Sequence, residues 1–386
     1  MAAIESISDY LQRQIEAAVQ LAASDLHFEP YGDTYRVRLR IDGILRETGQ
    51  VPLALSERLV SRLKVLACLD IGEKRLPQDG RLQQLLRSGQ TQELRLSSLP
   101  TVSGEKIALR LLSPALSLPL SLLGLESAQL SLLQTVLACR SGLLLVTGPT
   151  GSGKSATLYA CLAALNHGAL NICTVEDPVE IVLPGVNQIA VNDKVGLGFA
   201  VSLRALLRQD PDVIMLGEMR DALTAEIAVR AAQTGCRVWS SLHCASARSA
   251  LARLLNMGVA LFNLASSLRL IICQRLLRRL CPVCRTVHCL PVSVLQQLGW
   301  QGALPADLRC YQPVGCAACH GQGYCGRVAV FELLPLSAAN LQGEQAADAF
   351  QQLGVAIPDL RQAALLKALR GETSLAEAAT VCAGGD

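Results

Sequence analysis

Aromatic residues are scarce. Phe, Trp and Tyr make up 3% of the 386 residues, too few for the stacking platforms that hold single-stranded nucleic acids. Charge is thin as well. Asp, Glu, Lys and Arg total 17%, and 35 basic against 32 acidic residues leave a formal charge of +3. That balance excludes a chain that works through bulk positive charge on nucleic acid, although not local basic patches. There is no long apolar run. The longest stretch to consider, Met257 to Leu268, contains Asn263 and Ser266 and stops at Arg269, short of the roughly 20 apolar residues of a membrane span. Near the N-terminus stand Glu5 and Asp9, where a secretion signal would carry positive charge. The expectation is a cytoplasmic chain without a transmembrane segment.

Apolar residues are plentiful at 51%, which excludes a disordered chain, and the length suggests two or three domains. Cysteine is abundant too, with 15 residues. Cys68, Cys139, Cys161, Cys173 and Cys273 stand alone among apolar neighbours, where a reduced thiol behaves as a small hydrophobe. Paired cysteines in a chain without a secretion signal read as metal ligands before disulfides.

Apolar positions at helical spacing (Ile7, Leu11, Ile15, Val19) predict an opening helix over 5–22. From Tyr35 to Ile41 the chain alternates strictly, with Arg36, Arg38 and Arg40 on one face, and Asp42-Gly43 then turns it into a hairpin. A solvated outer face is the favoured reading of the three arginines, a surface meeting an acidic neighbour the other. A helix over Ser56 to Leu69 and strands between Arg81 and Leu112 follow. Two prolines between Ser113 and Pro119 mark a boundary. The domain expectation is thus 1–113, a linker at 114–120, and 121–386. In the last segment helix and strand alternate, as in a parallel sheet with crossover helices.

The run Gly142 to Thr147 is apolar enough for a buried parallel strand. Directly after it come Gly148, Pro149, Thr150, Gly151, Ser152, Gly153, Lys154 and Ser155, a full match to G-x-x-x-x-G-K-[ST], and then a helical run. Glycines let backbone N–H groups turn inward around phosphates, and the helix N-terminus favours the anion. Lys154 is placed to reach the β- and γ-phosphates of a nucleotide, and the Ser155 hydroxyl to bind Mg²⁺. A second strand, Asp212 to Gly217, ends in Glu218, a candidate to orient or deprotonate the attacking water; a salt bridge to Arg220 is the alternative. Glu176-Asp177 ends another strand and is placed to hold Mg²⁺ through water or to polarise the nucleophile. His243 ends a further one, as a γ-phosphate sensor or a structural histidine. Arg204 and Arg208, four apart, either pair with acids or neutralise phosphate charge.

Two C-x-x-C knuckles, Cys281/Cys284 and Cys316/Cys319, supply the four thiolates of a tetrahedral Zn²⁺ site. The 31 residues between them exceed a common ribbon spacing, and Cys289, Cys310, Cys325, His288 and His320 lie nearby as competing ligands.

In this order the motifs resemble the type II secretion and type IV pilus assembly ATPase family. Ser24 to Pro30, Arg40 to Gly43 and Leu76 to Arg81 look like its N-terminal signatures. Thr174 to Glu180 looks like its aspartate box, Leu203 to Asp221 its Walker B region, and Ala231 to His243 its histidine box. The resemblance implies an α/β chain: a small PAS-like α+β N-terminal domain, a RecA-like P-loop ATPase domain and a zinc subdomain around 273–330. It implies a hexamer that hydrolyses ATP with Mg²⁺, Glu218 as catalytic acid and His243 near the γ-phosphate. Arg81, Arg95, Arg204, Arg208 and Arg220 would surround the phosphates. Motion would pass to an inner-membrane platform protein, with the chain peripheral at that membrane and no direct nucleic-acid contact. The cysteine knuckles favour assembly over retraction. The alternative is a nucleotide-binding structural paralogue with little turnover. The chain starts 23 residues before Ser24, so the extra N-terminal domain of longer members is expected to be missing. The family's histidine box usually reads G-H-L-V-x-S-T-L-H-T, and here Arg237 stands at its leucine and Trp239 at its variable position; each would burden a buried strand unless it found a partner or an exposed edge.

Overall fold

The computed structural model describes residues 6–112, 119–288, 292–301, 309–336 and 359–383. Two compact units divide the chain, 1–115 and 116–386. Most of the expected linker, 114–118, lies outside the described residues.

In the N-terminal unit, α1 (Ile7–Gln20) begins where the Ser6 hydroxyl accepts the Asp9 N–H, and it buries Leu11, Ile15 and Ala18. Next come β1 (Asp25–Tyr31), β2 (Thr34–Ile41), β3 (Ile44–Pro52), α2 (Leu53–Leu66), β4 (Gln78–Leu85), β5 (Thr91–Thr101) and β6 (Gly104–Leu112). Helix α2 starts after Pro52 and ends before Cys68, whose φ of 56° no helix accommodates; it therefore runs three residues earlier at each end than the periodicity suggested. The strands form an antiparallel sheet in the order β3-β2-β1-β6-β5-β4. Tyr35, Val37, Leu39 and Ile41 face the core, as their alternation predicts. The arginines on the opposite face are not simply solvated. Arg36 and Arg38 reach Glu29 at 3.3 and 2.6 Å, and Arg40 lies 3.8 Å from Asp25. The acidic neighbour is the adjacent strand of their own sheet.

Among the described residues of this unit one ion pair is buried on both sides. Lys64 of α2, fully buried, holds the Glu105 carboxylate at 2.6 Å, and Ser98 donates to the same carboxylate at 2.8 Å.

The second unit opens with α3 (Ser127–Ala138), β7 (Gly142–Thr147), α4 (Lys154–Leu165), β8 (Ile172–Glu176) and β9 (Asn187–Ala190). It continues through α5 (Phe199–Leu206), β10 (Val213–Leu216), α6 (Ala222–Gln233), β11 (Arg237–Leu242), α7 (Ala247–Asn256) and α8 (Leu261–Ser267). Then follow β12 (Leu268–Leu280), β13 (Thr286–His288), α9 (Val292–Gln297), β14 (Cys310–Gln312), β15 (Tyr324–Pro335), α10 (Leu360–Leu369) and α11 (Leu375–Ala383). Seven strands form the main sheet, ordered β15-β12-β7-β11-β10-β8-β9. Only β15 runs antiparallel to its neighbour. Strand β7 is buried on both faces: Leu143 and Leu145 pack with α5 to α8, Leu144 and Val146 with α3 and α4. Each such side chain contributes roughly 1.5–3 kcal/mol of burial.

Strand β11 is central, with no exposed edge, and both unusual residues on it are accommodated. Arg237 donates to the Cys139 carbonyl at 2.6 Å. Trp239, 2% exposed, fills the core between Leu144, Tyr159 and Met215. Among the described residues no helix is long and apolar enough to cross a membrane.

Removing one partner of a buried ion pair leaves an uncompensated charge, at a cost of about 3–5 kcal/mol. Lys64→Met should therefore destabilise the chain by about that amount in chemical denaturation, and the double variant Lys64→Met/Glu105→Gln should recover a large part of the loss.

Candidate active site and cysteine cluster

Strand order determines which loops meet. Strand β11 stands between β7 and β10, so the residue after it, His243, emerges between the phosphate loop and Glu218. Hydrogen bonds fasten the three strand ends together. The Thr147 hydroxyl donates to the Cys244 carbonyl and accepts the Cys244 N–H, each at 3.1 Å. The Ser241 hydroxyl donates to the Gly217 carbonyl at 2.6 Å, and the Met219 N–H to the Ser241 carbonyl at 3.1 Å. Glu218 thus sits on a backbone held on both sides.

The phosphate loop needs its glycines. Gly148, Gly151 and Gly153 have φ of 153°, 79° and 88°, and a Cβ on Gly148 would stand 2.5 Å from the Gln274 carbonyl oxygen. Lys154, 8% exposed, donates to the Gly148 and Pro149 carbonyls at 3.0 and 2.9 Å. Burial lowers its pKa, and the nearby charge of Glu218 opposes that. The Ser152 hydroxyl is buried without a partner, while Ser155 is exposed at the start of α4. A loop with a buried ammonium, turned glycines and an orphan hydroxyl fits a phosphate chain.

Glu218 is the centre of a charged group. Arg220 donates to one of its oxygens and lies 3.2 Å from Asp177; His243 Nε2 stands 3.5 Å from the other oxygen. The salt bridge to Arg220 weighed in the sequence is therefore formed, and it coexists with the contact to His243. Burial first, then the Lys154 charge, lowers the pKa of His243, which favours the neutral imidazole beside Glu218.

The other sequence candidates stand on several elements. Glu176 is 4% exposed, and its carboxylate accepts from Tyr159, from Thr174 at 2.5 Å and from Gln188 at 3.0 Å. Its neighbour Asp177 is the acid that reaches the Glu218 group. Arg204 and Arg208 are exposed on and just after α5; Arg208 donates to the Arg204 carbonyl at 2.9 Å, and among the described residues no acid pairs with either. Arg81 and Arg95 are cross-strand partners on β4 and β5 of the N-terminal unit, with Arg95 3.8 Å from Asp79. Sequence reasoning missed Tyr159, Gln188, Thr147 and Gln274. Only Gln274 left a trace there, as the one amide in the run Leu270 to Leu277, which is apolar but for Gln274 and Arg275.

The cysteine knuckles follow β12 and precede β15. These strands pair, with Leu280 opposite Tyr324, so the sheet closes the 31-residue gap that spacing alone left open. All four sulfurs lie within 4.8 Å of one another. Cys281–Cys316, Cys284–Cys319 and Cys316–Cys319 are 3.9, 3.8 and 3.8 Å apart; a tetrahedral ion with bonds of about 2.3 Å needs about 3.8 Å. Backbone N–H groups of Gly315, Cys316 and Gly323 point at the sulfurs from 3.1–3.3 Å. Burial would raise the Cys319 thiol, but the N–H groups of Cys316 and Gly323 bring it down to about 6, ready to ligate as thiolate. Among the described residues no further group joins the four; Cys289 lies outside them.

The parallel sheet and its loops define a RecA-like P-loop fold. The family model described as type II/IV secretion system protein matches residues 2–380, and the chain belongs to that family. It is 47% identical over 381 residues to the type IV pilus assembly ATPase PilB of Acinetobacter baylyi, covering 96% of this chain and 65% of that protein. It is 44% identical to the type II secretion system protein E of Klebsiella pneumoniae, covering 95% of this chain and 74% of that one. Thus the chain spans about two thirds of the length of the pilus relative. Among solved structures, the pilus retraction motor PilT with bound ADP is similar at a TM-score of 0.65 and 25% identity, over 96% of each chain.

Elemental analysis of the purified chain is expected to find one Zn²⁺ per chain. The double variant Cys316→Ser/Cys319→Ser should lose it and melt at a lower temperature, because a structural zinc contributes folding energy directly.

Proposed function

We propose that the chain is an ATP-hydrolysing motor that powers assembly of a type IV pilus or a type II secretion pseudopilus. The observation that carries the proposal is Glu218, which stands beside His243 at the strand ends that flank the phosphate loop, on a backbone held on both sides by hydrogen bonds. Arg220 takes one carboxylate oxygen and leaves the other, beside His243, to act as the general base. In the proposed step Glu218 takes a proton from water, whose oxygen attacks the γ-phosphorus as the bond to the bridging oxygen breaks. Lys154 exchanges the Gly148 and Pro149 carbonyls for β- and γ-phosphate oxygens. Mg²⁺, when bound, neutralises phosphate charge, and the exposed Ser155 hydroxyl is the group we assign to it. Neutral His243 donates to a γ-phosphate oxygen or to the water. Glu176, with three donors on its carboxylate, positions β8 and α4, while Asp177 steers Arg220.

The proposal extends to Arg81, Arg95, Arg204 and Arg208 as cations that complete phosphate neutralisation, to assembly of copies into a hexamer, and to work on an inner-membrane platform protein. Kinship with pilus and secretion ATPases supports these steps. The four-cysteine cluster is proposed as a structural Zn²⁺ site. A second reading, a nucleotide-binding subunit with little turnover, draws on the clasp of Arg220 on Glu218.

Steady-state hydrolysis separates the two. Glu218→Gln should cut kcat by about 10²-fold or more while ATP still binds. Equal rates for wild type and variant would sink the motor proposal and leave the structural one.

A further inference from the structure

Strand β12 pairs with β7 through Cys273 opposite Thr147. The next residue, Gln274, therefore comes level with Gly148, the first residue of the phosphate loop. Three contacts follow from that register. The Gln274 carbonyl oxygen occupies the space beside Gly148, 2.5 Å from where a Cβ would lie. Its side-chain Oε1 accepts the buried Thr157 hydroxyl of α4 at 2.7 Å. Its Nε2 fills the space beside Gly153, 2.8 Å from the place of a Cβ there. One residue, itself 2% exposed, touches the first residue of the loop, its last glycine and the helix that follows. Around it on β12 stand the buried apolar residues Ile271, Ile272 and Leu277 and, directly after it, Arg275.

From this arrangement we infer that Gln274 is a positioning residue for nucleotide binding. It sets the curvature of the phosphate loop by holding Gly148, Gly153 and Thr157 in one frame, so that Lys154 and the loop N–H groups are aimed before the nucleotide arrives. The inference rests on the functional reading above, because it concerns the same nucleotide site. Preorganisation of this kind shows in affinity: a loop displaced by even 1 Å forfeits aligned donors.

The test uses the full chain and a fluorescent ATP analogue, with ATP turnover and thermal melting measured in parallel. Gln274→Leu and Thr157→Val should each weaken analogue binding by about tenfold and raise KM with a smaller change in kcat. The double variant should bind no more weakly than the worse single one, since both break the same link. Thr157→Ser, which keeps the hydroxyl, should bind as wild type does. A purely structural residue would lower the melting temperature and leave Kd within twofold, and that result overturns the inference. Additive losses in the double variant overturn it as well. If Gln274→Leu does not fold, Thr157→Val against Thr157→Ser decides: equal affinities overturn the inference, a tenfold gap supports it. A wild-type chain that binds no ATP overturns the functional reading and this inference with it. Wild-type binding with unchanged Gln274→Leu affinity overturns this inference alone.

Discussion

Everything at the candidate active site depends on β11 standing between β7 and β10. Parallel strands release their functional residues at one edge of the sheet, and this order lines up Lys154, His243 and Glu218 there. The interposed strand is tied to both neighbours, through Thr147 and Cys244 on one side and Ser241 and Gly217 on the other. These are hydroxyl–backbone bonds of 2.6–3.1 Å, partly buried. They convert a topological neighbourhood into fixed distances.

The charge arrangement builds on that frame. Lys154 is buried, burial shifts His243 toward its neutral form, and Glu218 is flanked by an arginine that also reaches Asp177. One Glu218 oxygen takes the arginine, and the other stands beside the imidazole. The glycines carry the complementary requirement. At Gly148 and Gly153 a side chain would run into Gln274, so the loop is shaped as much by β12 beneath it as by its own sequence. Strand β12 continues from there to Leu280 and the first cysteine knuckle, so one strand supports both the phosphate loop and the sulfur cluster.

Much of this was legible in the residues, for identifiable reasons. The phosphate loop is contiguous, and its strand and helix flank it in the chain, so local pattern suffices. The knuckles declare their ligands by spacing; what spacing could not supply was the pairing of β12 with β15 that closes the intervening 31 residues. Glu218 and His243 were placed by strand-end logic. Glu176 and Asp177 show its limit. Consecutive residues at a strand end diverge, and only coordinates tell which faces the site. The arginines of β2 were misjudged because their partners, Glu29 and Asp25, come from a neighbouring strand whose register sequence does not state. Arg237 and Trp239 looked costly because the carbonyl of Cys139 and the core around Leu144 and Tyr159 are tertiary features. Gln274 belongs to no motif, since its meaning lies in the register of β12 on β7.

The most direct test of the central claim is a structure of the oligomeric chain with a non-hydrolysable ATP analogue and Mg²⁺. The account predicts Lys154 Nζ on phosphate oxygens in place of the Gly148 and Pro149 carbonyls. It also predicts one water between the Glu218 carboxylate and the γ-phosphorus, with His243 in contact with that water or with the phosphate. An analogue bound with Lys154 still on its loop carbonyls, or with Glu218 beyond the reach of a single water, would contradict it.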